Sequence, residues 1–176
     1  MAATKWIIDP AHSQIEFKVK HLMISTVTGS FGVFSGEAIT EGNGFEDAAV
    51  FFTAQTASIY TGNAERDNHL RSADFFDAEK YPVITFTSSS MKKTSPNMFE
   101  LTGTLSMHGI SKEITLHAEF LGINKDPWGN VKAAFEVQGK LNRKEFGLNW
   151  NAALEAGGVL VGEEVKIIAN VQLTRQ

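Results

Sequence analysis

Residues 131–141 read VKAAFEVQGKL, and this stretch decides the fold class. Its apolar side chains fall on alternate positions, at Val131, Ala133, Phe135, Val137 and Leu141. Alternation with a period of two is typical of a β-strand with one dry face and one face in water. The stretch therefore predicts an amphipathic strand rather than a helix.

The same alternation recurs on both sides of this strand. It is clearest at residues 13–21, 99–107, 112–120 and 165–173, and weaker at 27–40, 49–59 and 83–91. Glycine, proline and asparagine mark turns between these segments. Short strands at a regular spacing with such turns predict an all-β antiparallel sandwich or barrel.

Residues 62–82 interrupt this pattern. Asn63 is predicted to cap a short helix, Asp67 and Arg71 stand four positions apart on it, and Asp74 is predicted to begin a second turn. So little helix cannot cover a sheet, so the apolar strand faces must point at one another. About eight strands can close into a barrel that is filled by side chains or holds one small ligand. The alternation leaves both outcomes open.

The amino-acid composition limits the classes of ligand and partner that the protein can bind. The 176 residues fit one domain, 1–176, and the net charge of −4 comes without the basic stripe that nucleic-acid binding needs. The absence of cysteine excludes disulfides and thiolate metal sites. Thirteen phenylalanines suit an apolar ligand cavity as well as an ordinary core. We expect no nucleic-acid partner.

Targeting signals are not recognisable in the sequence. It begins MAATKWII, which lacks the apolar stretch of a signal peptide, and no apolar run is long enough for a membrane helix. We therefore expect a cytoplasmic protein without stable membrane insertion. If an export signal has been removed, we expect a periplasmic one.

Polar residues give no catalytic or metal motif. The histidines lack the paired spacing of helix-borne metal ligands, and no nucleophile motif is present, so we expect no catalytic residue, metal or cofactor. One dense polar cluster, at residues 63–72, allows two interpretations. It forms a gate at a barrel mouth, where Arg66, His69 or Arg71 contacts an anionic head group, or it is a capped helix whose charges pair locally. We favour the second.

Several segments together resemble the YceI-like family of lipid-binding proteins. They are WIIDPAHS at 6–13, FKVKHL at 17–22, GSFG at 29–32, FSG at 34–36, RDNHLRSADFFD at 66–77, YP at 81–82, LTGTLSMHG at 101–109 and RKEFGL at 143–148. The resemblance implies an extended, lipocalin-like antiparallel β-barrel that binds an isoprenoid or similar long amphiphile in an internal channel. It also implies that family members are often periplasmic and have no well-established enzymatic reaction.

Joining the resemblance to the alternation predicts the ligand-binding residues. They are Phe17, Val19, His21, Phe52, Phe86, Leu105, Leu116, Phe135 and Ile167. Residues 62–82 are the candidate lid. The expected partner is an isoprenoid or other long-chain lipid that is carried or sequestered, and a homodimer stays open.

Two alternative functions stand beside this one. The first is an enzyme that acts on such a ligand through His21, Asp67 or His69. The second is a stress-related structural protein whose barrel is filled.

Overall fold

Alternating apolar residues form antiparallel strands along nearly the whole chain. The computed structural model describes residues 3–42, 44–152, 154 and 158–176. Within these ranges the strands are β1 (Ala3–Ile8), β2 (Gln14–His21), β3 (Ser25–Phe31), β4 (Phe34–Glu41), β5 (Ala49–Gln55), β6 (Ile59–Tyr60), β7 (Val83–Ser95), β8 (Met98–Met107), β9 (Ile110–Lys125), β10 (Val131–Asn142) and β11 (Val161–Arg175).

Eight of the described strands close into an antiparallel barrel. Their order around it is β1-β4-β5-β7-β8-β9-β10-β11, and β11 pairs back onto β1 with Trp6 opposite Arg175. The strands β2, β3 and β6 extend the sheet from the other half of β11. The prediction of an all-β barrel with a short helical insert is confirmed.

β11 runs the length of the barrel and joins its two ends. Its first half, from Val161 to Asn170, pairs with β2, and its last residues pair with β1. β10 lies along its other side from end to end. β11 therefore reaches from the end of the barrel where His21 lies to the opposite end, where Trp6 lies.

The helical insert is a single short helix, α1 (Ala64–Arg71). The predicted cap is confirmed, since the Asn63 side chain accepts a hydrogen bond from the Arg66 amide at 3.0 Å. Asp67 and Arg71 both lie on α1 but contact other groups, since the Asp67 carboxylate accepts from Thr61 and the Arg71 guanidinium donates to Asn68 and to backbone carbonyls.

The second turn begins at Ser72 rather than at Asp74. The Ser72 hydroxyl accepts a hydrogen bond from the Asp74 amide at 3.3 Å, and the Asp74 carboxylate bonds to His69. Asp74 therefore holds the end of α1 and does not cap the turn that follows it.

Other strands also differ from the predictions, and the strand predicted at 49–59 ends at Gln55, before a short turn and β6. Residues 27–40 form two strands, β3 and β4, because the chain bends at Gly32 and Val33, whose backbone groups bond to Ser58 and Gln55. β1 was not predicted at all. Its sequence does not alternate, and Ile7 points outward with 37 % of its surface exposed.

A cluster of aromatic rings fills the Trp6 end of the barrel. Phe45, in the loop after β4, packs against Phe135 at 4.9 Å and against Trp6 at 5.2 Å between ring centroids. Phe120 joins the same cluster. This end of the barrel is closed by side chains.

None of the helices in the described residues has the length and apolar character needed to cross a membrane.

Candidate ligand-binding cavity

The barrel interior contains a cavity of about 710 Å³. Its wall consists mainly of the inward side chains of the strands, which alternate with outward polar ones as the sequence predicts. The barrel is therefore not filled by side chains. A cavity of this volume lies within the range of ~300–1,000 Å³ that is common for small-molecule sites.

All nine of the predicted ligand-binding residues lie in the cavity wall. Four of them are buried, namely Phe86, Leu105, Leu116 and Phe135. The others are half-buried, namely Phe17, Val19, His21, Phe52 and Ile167. That these residues contact a ligand remains a prediction. Their placement around one cavity agrees with the alternating apolar pattern of the strands.

Gly29 shapes this wall in a way that the sequence pattern did not reveal. It lies opposite Phe17 on the neighbouring strand. A Cβ atom at Gly29 would overlap the Phe17 ring, so the ring lies across the bare backbone of β3. Only a glycine permits this ring position.

The polar part of the wall lies at the His21 end. Its polar residues include His21 of β2 together with Thr61, Asn63, Arg66 and His69. β2 and the segment 61–69 each have a contact at this end of the barrel. The His69 ring lies 4.6 Å from the Trp150 ring, and His21 of β2 pairs with Val161. We call this end, where His21, Arg66 and Leu160 line the cavity, the mouth. The cavity thus has an apolar body and a polar mouth.

A buried carboxylate positions Arg66 at the mouth. Asp67 is only 4 % exposed and accepts hydrogen bonds from the Thr61 amide at 2.9 Å and the Thr61 hydroxyl at 2.5 Å. Arg66 in turn donates from Nε to the Thr61 hydroxyl and from Nη2 to the Thr61 carbonyl, both at 2.7 Å. Asp67 and Thr61 therefore hold the Arg66 guanidinium at the cavity wall.

The structure separates the other two predicted mouth residues. His69 lies in the wall, with Nε2 2.9 Å from the Asp74 carboxylate and its ring edge-on to Phe75 and Trp150. Arg71 is not among the residues that line the cavity. Its guanidinium donates to the carbonyls of Ala57 and Ile59, because the backbone before α1 passes beside it.

The three residues of the enzyme hypothesis do not form one catalytic group. His21 and His69 line the cavity, whereas Asp67 lies outside its wall and bonds to Thr61. The carboxylate partner of His69 is Asp74. Among the described residues, no three histidine, aspartate or glutamate side chains are grouped to hold a metal ion.

Arg143 is a wall residue that the sequence reasoning missed. It is 3 % exposed and donates to the carbonyls of Leu148, Trp150, Val161 and Gly162. Burial lowers the pKa of Arg143, and the nearby negative charge of Glu163 partly opposes this. The available signal was an arginine directly after a strand, at the start of RKEFGL, a segment that also contains the apolar Phe146 and Leu148.

The fold and the cavity together define a class: a closed antiparallel β-barrel with an internal apolar cavity that has one polar mouth. Within this class the family is also clear. The YceI-like domain model matches residues 6–173, and the chain therefore belongs to the YceI-like family.

Individual relatives agree with this assignment. The UPF0312 protein of Staphylococcus aureus strain USA300 is 38 % identical over 172 residues, which cover 97 % of this chain and 98 % of that protein. BcnA of Burkholderia cenocepacia has the same fold, with a TM-score of 0.82, 21 % identity and coverage of 94 % of this chain and 98 % of that one. A polyisoprenoid-binding domain from Saccharophagus degradans has a TM-score of 0.68, 17 % identity and coverage of 97 % and 98 %.

Proposed function

We propose that this protein binds a long-chain amphiphile of the isoprenoid type and carries or sequesters it. The observation that supports this most is the cavity of about 710 Å³, whose apolar body ends in a polar mouth. An apolar tail fits the first part and a polar head group the second. The fold shared with a domain named for polyisoprenoid binding supports the same ligand class.

The cavity volume sets a scale for the tail. A cavity of ~150 Å³ accommodates one benzene ring, so about 710 Å³ offers room for roughly 30 carbon atoms, or roughly six isoprene units. Removing apolar surface from water contributes ~25 cal/mol per Å². Such a tail therefore supplies several kcal/mol, from which the lost freedom of tail and protein is subtracted.

The mouth supplies the contacts for a head group. Arg66 is held at the wall by Thr61, and His69 lies beside it on α1. A guanidinium in this place favours an anionic head group such as a phosphate, which accepts paired hydrogen bonds from arginine. We expect the head group to lie among Arg66, His69 and His21.

The first test is chemical. Organic extraction of the purified protein followed by mass spectrometry should yield a long-chain molecule in near-stoichiometric amount. After removal of that molecule, titration with geranylgeraniol and longer all-trans prenols should restore binding. A protein that yields no lipid and also takes up no prenol contradicts the proposal.

Two neighbouring isoleucines on β11 provide a matched pair of variants. Both are half-buried, but Ile167 lines the cavity and Ile168 does not. A carboxylate at position 167 places a charge in the apolar body, so Ile167→Asp should abolish prenol binding. Ile168→Asp should retain it. Far-UV circular dichroism checks the fold of both variants, and Val19→Trp, which fills the cavity without a charge, is the substitute if Ile167→Asp does not fold. Equal prenol affinity in all of them would overturn the assignment of the cavity.

A further inference from the structure

The hairpin between β2 and β3 carries an exposed apolar tip. Its turn consists of Leu22, Met23 and Ile24, which are 40 %, 61 % and 84 % exposed. Exposing large apolar side chains to water at a hairpin turn costs free energy. We call these three residues the tip.

The backbone of the tip adds a second cost. Leu22 and Met23 have φ angles of 54° and 60°, in the left-handed region. The Ile24 amide bonds to the His21 carbonyl across them at 3.3 Å. Turns with two such residues favour Asn-Gly, because large side chains are strained there. The Met23 sulfur lies against Gly158, yet Met23 and Ile24 stay 61 % and 84 % exposed.

A group of lysines lies on the outer sheet face next to the tip. Lys18 pairs with Lys166, which pairs with Lys140, so three positive charges stand side by side across β2, β11 and β10. Lys20 follows Lys18 on the same face of β2, toward the tip. Directly opposed like charges destabilise a sheet. We call Lys18, Lys140 and Lys166 the lysine row.

The charge of this face contrasts with that of the whole chain. Carboxylates on the same face include Glu16, beside Lys18, Glu136, which accepts a hydrogen bond from Gln138, and Glu164, which lies 3.8 Å from Lys140. With Lys20 this part of the face carries four lysines and three glutamates, whereas the chain has a net charge of −4. The lysine row is therefore a local positive cluster in a protein that is acidic as a whole.

The tip adjoins the mouth of the cavity. His21 directly precedes it and lines the cavity. The Leu22 amide donates to the carbonyl of Leu160, another mouth residue, at 2.9 Å. Any surface that receives the tip is therefore brought next to the opening through which a ligand passes.

We propose that the tip and the lysine row dock this protein on an anionic lipid bilayer. The tip inserts its apolar side chains among the acyl chains, and the lysine row contacts the anionic head groups. A convex tip of three residues fits a bilayer, which adapts to it, better than a protein groove of fixed shape. The inference rests on the proposed function, because a protein that carries a membrane lipid must exchange it there.

The experiment measures vesicle binding and ligand binding separately. Flotation with phosphatidylcholine vesicles, with and without phosphatidylglycerol, reports docking, and prenol titration in solution reports the cavity. The double substitution Leu22→Asn with Met23→Gly removes apolar side chains but suits the turn, so the fold should survive. We expect it to weaken binding to phosphatidylglycerol vesicles by about tenfold or more and to leave prenol affinity unchanged.

Two further variants separate the apolar and the charged contributions. Lys18→Gln and Lys166→Gln should each weaken binding to phosphatidylglycerol vesicles by about fivefold, and added salt should reduce the difference. Trp128→Ser is the matched control for the tip. Trp128 is 83 % exposed, nearly the same as Ile24, but it lies in the β9–β10 turn at the opposite end of the barrel. It should leave docking unchanged.

The outcomes distinguish this inference from the proposed function. No binding of the wild type to either vesicle, or equal loss in Trp128→Ser and the tip variant, overturns the docking surface even if prenol binds. Equal binding to both kinds of vesicle overturns the role of the lysine row. Failure of the prenol titration with intact vesicle binding overturns the proposed function instead.

Discussion

Arg143 holds a full charge in a place that is 3 % exposed, and its hydrogen bonds within the described chain go to backbone carbonyls. These carbonyls belong to two adjacent segments at the mouth, residues 148–150 and 161–162, which also bond to each other through Asn151 and Val161. A guanidinium suits this role because its planar, forked donors reach several acceptors at once, which an ammonium group does not. Arg143 thus joins these two segments at the mouth through backbone carbonyls.

Removing this guanidinium should destabilise the protein strongly. Arg143→Met keeps much of the side-chain volume but leaves buried carbonyls without a donor, so we expect a loss of about 3 kcal/mol or more in the free energy of unfolding. Urea unfolding measures it. Lys140→Met is the comparison, since Lys140 is exposed near the same end of β10 and its ion pair with Glu164 contributes at most about 1 kcal/mol. Similar losses in the two variants would contradict this role of Arg143.

For individual residues, the sequence predicted the apolar residues of the cavity wall better than the polar ones. Alternation fixes which face a strand residue occupies, so Phe17, Leu116 and Ile167 could be placed inside from the pattern alone. The side chains around α1 follow no such period. Arg71 turns to the backbone before α1 and Arg66 turns to Thr61, and both choices depend on chain segments that meet only in the folded protein.

Among the secondary-structure elements, β1 contributes more to the closure of the barrel than its short length suggests. Its pairing with β11 closes the barrel, although β1 has only six residues. Asp9, directly after β1, secures this seam. Its amide bonds to the Gln172 carbonyl at 2.8 Å, and its carboxylate lies 2.8 Å from the His12 ring and 3.1 Å from the Lys132 ammonium. The seam between first and last strand therefore has an electrostatic contribution.

This contribution predicts a pH dependence of stability. The hydrogen bond with His12 lowers the pKa of Asp9 below 3.8, partial burial opposes this, and Lys132 lowers it further. The stabilisation is therefore complete above pH 3.8 and is lost as the pH falls, because the unfolded chain then takes up a proton that the folded chain does not. Asp9→Asn should be less stable than wild type near neutral pH, and the difference should shrink in acid.

Unfolding in urea across the acid range measures this difference. The wild type should lose stability more steeply than Asp9→Asn. A constant difference between the two proteins at all pH values would show that the charge of Asp9 is not what secures the seam.

The strand predictions succeeded where one face is dry and failed where the barrel bends or closes. β8 and β10 were predicted nearly to the residue, because their alternation is regular. β1 escaped detection because its outward positions include an isoleucine, and the bend between β3 and β4 because strand-like residues flank it on both sides. Closure and bending are properties of the whole sheet, and a local pattern does not contain them.

For the whole molecule, the cavity predicts a ligand-dependent stability. A ligand that binds only the folded state at about a hundredfold excess over its Kd adds ~2.7 kcal/mol, which corresponds to roughly 5–10 °C in Tm for a chain of this size. Prenols should raise Tm increasingly with length until the cavity is full, at roughly 30 carbon atoms, and longer ones should add little. Differential scanning fluorimetry across a prenol series tests this. A Tm that does not depend on prenol length would mean that the tail does not occupy the cavity.

β11 also has a consequence for the time course of folding. It follows every other described strand in the chain, yet β1, β2 and β10 all pair with it. The contact between Trp6 and Arg175 spans almost the whole polypeptide, and pairings so distant along the chain are formed slowly. During synthesis the inner apolar faces therefore have no enclosure until β11 has left the ribosome, so a nascent chain has no finished chamber to load. On the proposed function, a ligand can be taken up only after translation of β11, and until then the unpaired edges of β1, β2 and β10 are the part of the molecule that a chaperone would shield.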